Sequence, residues 1–96
     1  MHKSVLLQEC IDNLNLKENS IIVDCTLGYG GHSSEILKRI SKGYLFAFDQ
    51  DSEAILSSQD RLSKIGNNYE IIKSNFVNIK KELNSRNITG VDGILY

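Results

Sequence analysis

Apolar positions fall in short clusters whose period changes along the chain, and the changes predict the elements. Between Ser4 and Leu14, the residues Val5, Leu6, Leu7, Cys10, Ile11 and Leu14 follow the i, i+3, i+4, i+7 spacing of an amphipathic helix, with Ser4 placed to cap it. Asn15 to Ser20 is polar and turn-like, and Ile21 to Cys25 is a short β-branched run of the kind buried on both faces of a parallel sheet. A glycine-rich turn follows. Ser33 or Ser34 is then expected to cap a helix whose inner face is Ile36, Leu37 and Ile40, with Lys42 and Gly43 closing it. Tyr44 to Phe48 reads as a second strand. Asp51, Ser52 and Glu53 open a helix running to about Lys64, with Ile55, Leu62 and Ile65 inward, and Gly66-Asn67-Asn68 stops it. Tyr69 to Lys73 is expected as a third strand and Asn78 to Arg86 as a weaker helix turning Ile79 and Leu83 inward. After a turn at Asn87 to Gly90, Val91 to Tyr96 begins a fourth strand.

Strands alternating with helices at this spacing predict one α/β domain built on a doubly wound parallel sheet, with strand order 3-2-1-4. Ligands in such sheets sit at the carboxyl ends of the strands where the order reverses, here strands one and four.

Composition narrows the classes. With 96 residues and 41% apolar content the chain supports one small core, and it contains no run long enough to span a membrane and no basic start leading into a long apolar stretch. A cytoplasmic location is expected. The formal charge of -1 argues against this segment being a nucleic-acid surface, and Lys38, Arg39, Lys42, Lys73, Lys80 and Lys81 read as solvated positions. Cys10 and Cys25 are isolated thiols without metal or redox spacing, so no metal site and no cysteine chemistry is expected.

The chemistry concentrates in Thr26-Leu27-Gly28-Tyr29-Gly30-Gly31-His32-Ser33. A dinucleotide fingerprint, G-x-G-x-x-G, would place its third glycine where Ser33 stands, so an NAD-type module fits imperfectly. A looser acid-x-x-x-Gly-x-Gly pattern is met by Asp24, Gly28 and Gly30. No Gly-Lys-Ser/Thr follows the glycines, which excludes a phosphate-binding P-loop. Asp49 closes the next strand, about 20 residues beyond the turn, where a carboxylate can accept ribose hydroxyls. Asp51 competes for that role but falls where a helix cap is wanted. His32 can offer its backbone N–H at a helix start, and Phe76 can either stack on a base or fill the core, periodicity favouring the core.

These strings resemble the S-adenosylmethionine-dependent methyltransferases that methylate the N4 amino group of a cytidine in bacterial small-subunit ribosomal RNA. The resemblance is carried by His2-Lys3-Ser4-Val5-Leu6-Leu7-Gln8-Glu9, Asp24 to Ser33, Ala47-Phe48-Asp49-Gln50-Asp51 with Ala54-Ile55, and Val91-Asp92-Gly93-Ile94-Leu95, in order along the chain. It implies a Rossmann-like methyltransferase fold with S-adenosylmethionine as cofactor, Gly30, Gly31 and His32 in the loop contacting it, Asp49 on its ribose and Phe76 beside its adenine. Asp24, Thr26 and Gly28 would shape the loop, and His2 would belong to the docking of the first helix.

Members of that family are considerably longer. An Asp-Leu-Gly motif after strand four, the remaining strands and an inserted helical domain gripping RNA lie outside these residues. Residues 1–96 are therefore expected to be the N-terminal cofactor-binding part, meeting ribosomal RNA through other parts, with no catalytic residue of its own and no activity alone. An NAD-type module and a non-catalytic truncated domain are the alternatives. Ile94, Leu95 and Tyr96 on an open strand edge lead us to expect self-association.

Overall fold

The computed structural model describes Glu9 and residues 11–96. Its elements are β1 (Ile21–Asp24), α1 (Gly31–Arg39), β2 (Tyr44–Asp49), α2 (Ser52–Ser63), β3 (Tyr69–Lys73), a 3-10 turn (Phe76–Asn78), α3 (Ile79–Asn84) and β4 (Gly93–Leu95). The four strands form one sheet in the order β3-β2-β1-β4, and every pairing is parallel. The predicted order is therefore the observed one.

Alternation along each strand builds two cores. On one face Ile22, Leu45 and Ala47 pack with Leu27, Ile36, Leu37, Ile40 and Leu62 beneath α1 and α2, joined by Ile11. On the other, Val23, Phe46, Phe48 and Ile72 meet Leu83 of α3, with Ile79, Ile88 and Val91 at its margin. The expected inward positions Ile55 and Ile65 pack against the first core without being fully buried. Most of the first predicted helix, with Ser4 and His2, lies outside the described residues; within them, residues 11–13 are helical, Ile11 is buried and Leu14 packs on the core.

The start of α1 departs from the expectation. Gly30, not Ser33 or Ser34, precedes the helix, at φ 90°, a left-handed conformation that side chains resist. Both serines lie inside the helix and are buried. The Ser33 hydroxyl donates to Asp24 and the Ser34 hydroxyl to the Gly31 carbonyl (3.0 Å). A serine that has a buried acid to bond serves the turn better from the helix interior than from its cap.

Elsewhere the differences are of length. Asn75 accepts from the Val77 N–H (3.0 Å) and so starts a 3-10 turn that takes Asn78 from the predicted helix, and α3 itself ends at Asn84, short of the expected Arg86. β4 pairs through only three residues, Gly93, Ile94 and Leu95, opposite Ile22, Val23 and Asp24. At its lower end Asp92 and Ile21 exchange two bonds of 2.7 Å, the Ile21 N–H donating to Asp92 Oδ2 and the Asp92 N–H to the Ile21 carbonyl.

Two further contacts set the frame. A Cβ on Gly43 would run into the Ser20 carbonyl, so only glycine lets the chain enter β2 so close to the start of β1. Arg86, just past α3, forks onto Glu70 of β3 (Nε to Oε1 2.9 Å, Nη2 to Oε2 2.7 Å) and also donates to Glu82. The Arg86 hydrogen bond holds the Glu70 carboxyl below its usual range.

Candidate functional site

The site forms where β1, β2 and β3 end, not between β1 and β4 as the reversal of strand order predicts, because the glycine turn, Asp49 and Phe76 all lie at or just past strand ends on the β1-β2-β3 side of the sheet. The first component is Asp24, the last residue of β1, whose side chain has no solvent exposure. Its Oδ1 accepts from the Thr26 N–H (2.7 Å) and the Thr26 hydroxyl (2.6 Å), and its Oδ2 accepts from the Ser33 hydroxyl (2.6 Å). A buried carboxylate is tolerated only with such partners, and here they tie strand end, turn and helix together. Asp24 is thus structural, holding the turn in shape.

The turn itself needs its glycines at two places. Gly28 has φ 47° and Gly30 φ 90°, and the Gly30 N–H donates to the Leu27 carbonyl (2.6 Å). From the other side Ser58 of α2, fully buried, donates its hydroxyl to the Gly28 carbonyl (2.8 Å), and Arg61 reaches the Tyr29 carbonyl (3.3 Å). α1 begins beyond the turn with neither a side-chain cap nor an acid in its first turn, in contrast to α2, where Asp51 accepts from the Glu53 N–H (3.0 Å). The first amides of α1 are therefore left without a side-chain acceptor at the positive end of the helix, the nearby Asp24 carboxylate being bonded to hydroxyls and the Thr26 N–H instead.

Asp51 being the cap of α2 leaves Asp49 as the acid of the site. Asp49 Oδ2 accepts from the Gly28 N–H (2.9 Å), while Oδ1 accepts from the Gln50 N–H (2.7 Å) and the Asp51 N–H (2.9 Å). A carboxylate offers about four acceptor positions, so these bonds leave one, on Oδ2. Asp49 can take one hydroxyl without disturbing the turn. Accepting two at once, as its type alone suggests, requires the Gly28 bond to lengthen.

An open cleft of about 270 Å³ lies over these groups, lined by Cys25, Thr26, Gly28, Phe48, Asp49, Gln50, Ser74, Asn75 and Phe76. The structure thus gathers Gly28, Asp49 and Phe76 in one place. Phe76 is 50% exposed and belongs to neither core, which corrects the reading of it as core from periodicity. As the first residue of the 3-10 turn capped by Asn75, it is set on the rim of the cleft.

Gly30, Gly31 and His32 do not line this cleft. They continue around the turn: Gly30 is buried under Ser58 and Arg61, Gly31 has open space where a side chain would be, and His32 brings Nδ1 to 3.5 Å from the Thr26 hydroxyl. Cys25, Gln50, Ser74 and Asn75 line the cleft unforeseen. A simple signal marks them, since each directly follows a strand or its first successor in a parallel sheet whose strand ends all point one way. The Cys25 thiol is pushed up to about 11, chiefly by burial and then by the Asp24 charge, and stays neutral near pH 7. Among the described residues no cluster of His, Cys, Asp and Glu could hold a metal ion, and no helix is long and apolar enough to cross a membrane.

Known proteins share both fold and sequence. The chain is 57% identical over 95 residues to the ribosomal RNA small subunit methyltransferase H of Mesoplasma florum, covering 99% of this chain and 31% of that protein. It is 58% identical over 94 residues to the protein of the same name from Mycoplasmopsis synoviae, covering 98% and 31%. The chain thus spans about a third of the length of these relatives. Among solved structures, an rRNA methylase from Streptococcus thermophilus superposes with a TM-score of 0.69 at 26% identity, over 85% of this chain and 49% of that one. A SAM-dependent methyltransferase from Aquifex aeolicus gives 0.60 at 26% identity, over 71% and 37%. The parallel sheet is therefore the Rossmann-like sheet of such methyltransferases. The model of the MraW methylase family matches residues 1–96, the whole sequence, and the chain belongs to that family.

Proposed function

We propose that residues 1–96 supply the S-adenosylmethionine site of an enzyme that methylates small-subunit ribosomal RNA in the cytoplasm, at the N4 amino group of a cytidine. The observation that carries the reading is Asp49 at the end of β2, bonded to the Gly28 N–H inside a cleft rimmed by Phe76. The donor set fits the cofactor: a carboxylate with an acceptor position for a ribose hydroxyl, an aromatic ring for adenine, and uncapped amides of Gly31 and His32 for an amino-acid carboxylate. Gly30 shapes the passage between the two ends.

When bound, S-adenosylmethionine supplies a sulfonium methyl that is already electrophilic, so the protein's task is position and orientation. Asp49 fixes the sugar, Phe76 the base, and the turn the amino-acid end. Ser33 in place of a third fingerprint glycine, bonded to Asp24, disfavours the NAD-type alternative. The RNA contacts and the group that draws on the cytidine amino protons belong to chain outside these residues.

Isothermal titration of the full-length natural polypeptide with S-adenosylmethionine tests the site. Wild type is expected to bind and the Gly30→Val, Asp49→Ala variant to lose binding; equal binding by both would show the site assignment to be wrong. Nucleoside mass spectrometry of small-subunit RNA after incubation then reads the target, with N4-methylcytidine expected and any other methylated nucleoside contradicting it.

A further inference from the structure

We propose that Ser58 and Arg61, one turn apart on α2, are positioning residues for the cofactor, acting through the glycine turn; the inference rests on the reading of the cleft given above. Neither residue lines the cleft. Ser58 holds Gly28, which does, and Arg61 holds the adjoining Tyr29. The Ser58 hydroxyl donates to the Gly28 carbonyl (2.8 Å) while the Gly28 N–H donates to Asp49 (2.9 Å), so the Gly28 residue is gripped on both sides, by α2 and by the acid of β2. Ser58 Oγ lies 3.3 Å and Arg61 Cδ 3.5 Å from where a Cβ on Gly30 would stand, so the same two side chains also close over the second left-handed glycine. Arg61 Nη1 then reaches the Tyr29 carbonyl between the two (3.3 Å).

Three consecutive residues of the turn, Gly28, Tyr29 and Gly30, thus rest against one helix face. Nothing in the packing of that helix requires a hydroxyl at position 58. Its neighbours on the inner face are Ala54 and Leu62, and an alanine would complete the apolar stripe. A fully buried serine among apolar residues is explained by the carbonyl it bonds. Left without that donor, the Gly28–Tyr29 peptide is free to turn about the Gly28 Cα, and the turn passes through that atom to the adjoining Leu27–Gly28 peptide, whose N–H meets Asp49. The consequence falls on the acceptor geometry of Asp49, and so on the ribose.

The test uses the full-length natural polypeptide and S-adenosylhomocysteine as probe, with Kd from titration calorimetry and the ligand-free Tm recorded for each variant. Ser58→Ala and Arg61→Ala are each expected to raise Kd about three- to tenfold, the equivalent of one net hydrogen bond, with ligand-free Tm lowered by about a few degrees in Ser58→Ala, which loses a bond present without ligand, and little changed in Arg61→Ala. Arg61→Lys, which keeps a donor, is expected to restore most of the affinity lost in Arg61→Ala. Wild-type Kd in Ser58→Ala and Arg61→Ala while Asp49→Ala loses binding would overturn this inference and leave the cleft reading standing. A Kd that moves only in step with a lowered ligand-free Tm, without rescue by Arg61→Lys, would also overturn it. Unchanged binding in Asp49→Ala would instead sink the cleft reading itself.

Discussion

Two carboxylates end adjacent strands and do different work because their surroundings differ. Asp24 has no exposed surface and spends its oxygens on Thr26 and Ser33, whereas Asp49 keeps an acceptor position toward an open cleft. Between them lies Cys25, and its thiol gives the cleft a measurable reporter. With an ordinary value of 9.0 raised to about 11, the thiol is neutral in both folded and unfolded chains below pH 9. Above that the unfolded chain loses its proton first, so stability falls as pH rises from 9 toward 11 and then levels. In a Cys10→Ser background, thiolate absorbance is expected to rise near pH 11 in the folded protein, and alkylation at pH 7 to be slow; a midpoint at or below 9 would contradict the burial that we describe. Asp49 was legible from its place after an apolar run, and Asp24 from its spacing to the glycines. Cys25, Gln50, Ser74 and Asn75 carry no such sign in their residue type, and only their position just past a strand end marks them.

Elements were most legible where local preference and tertiary packing agree. β3 runs from Tyr69 to Lys73 as periodicity and the Gly66-Asn67-Asn68 stop require, and Asp51 caps α2 as expected. The start of α1 was misread because two adjacent serines look like caps, while the left-handed turn at Gly30 and the pull of buried Asp24 on Ser33 are tertiary facts. α3 is short and rests on Arg86, whose fork to Glu70 attaches it to the sheet. Arg86→Ala is accordingly expected to lower stability by about 1 kcal/mol or less near neutral pH, since the pair is partly exposed and screened. Glu70 titrates below 4.5 in the folded chain, so this contribution is present above that value and fades as acid protonates the carboxylate. Urea melts of wild type and Arg86→Ala should therefore be fully separated above about pH 5 and draw together as the pH falls below 4.5, and a difference that keeps its neutral-pH size throughout the acid range would disprove the electrostatic origin.

For the whole molecule, the sheet order leaves β3 and β4 as edges, and β4 is the shorter and less covered. Ile94 and Leu95 are only partly buried and Tyr96 is 79% exposed. Exposed backbone beside apolar side chains is a template for another copy. Sedimentation velocity of the 96-residue chain should show dimers or larger species at concentrations of about tens of micromolar, and a clean monomer there would refute the expectation. The doubly wound order was legible in full because alternating strands and helices admit few topologies. The cleft was legible only in outline, since the sequence places its residues near one sheet end without saying which of them share a wall.

Both carboxylates that organise the turn stand on the two interior strands, β1 and β2, each paired along both sides. Fraying begins at a margin, where a strand has one neighbour to lose. Unzipping of β3 or peeling of β4 would thus leave Asp24 still held opposite Ala47, two residues short of Asp49, so the distance between the anchors outlasts the loss of either border.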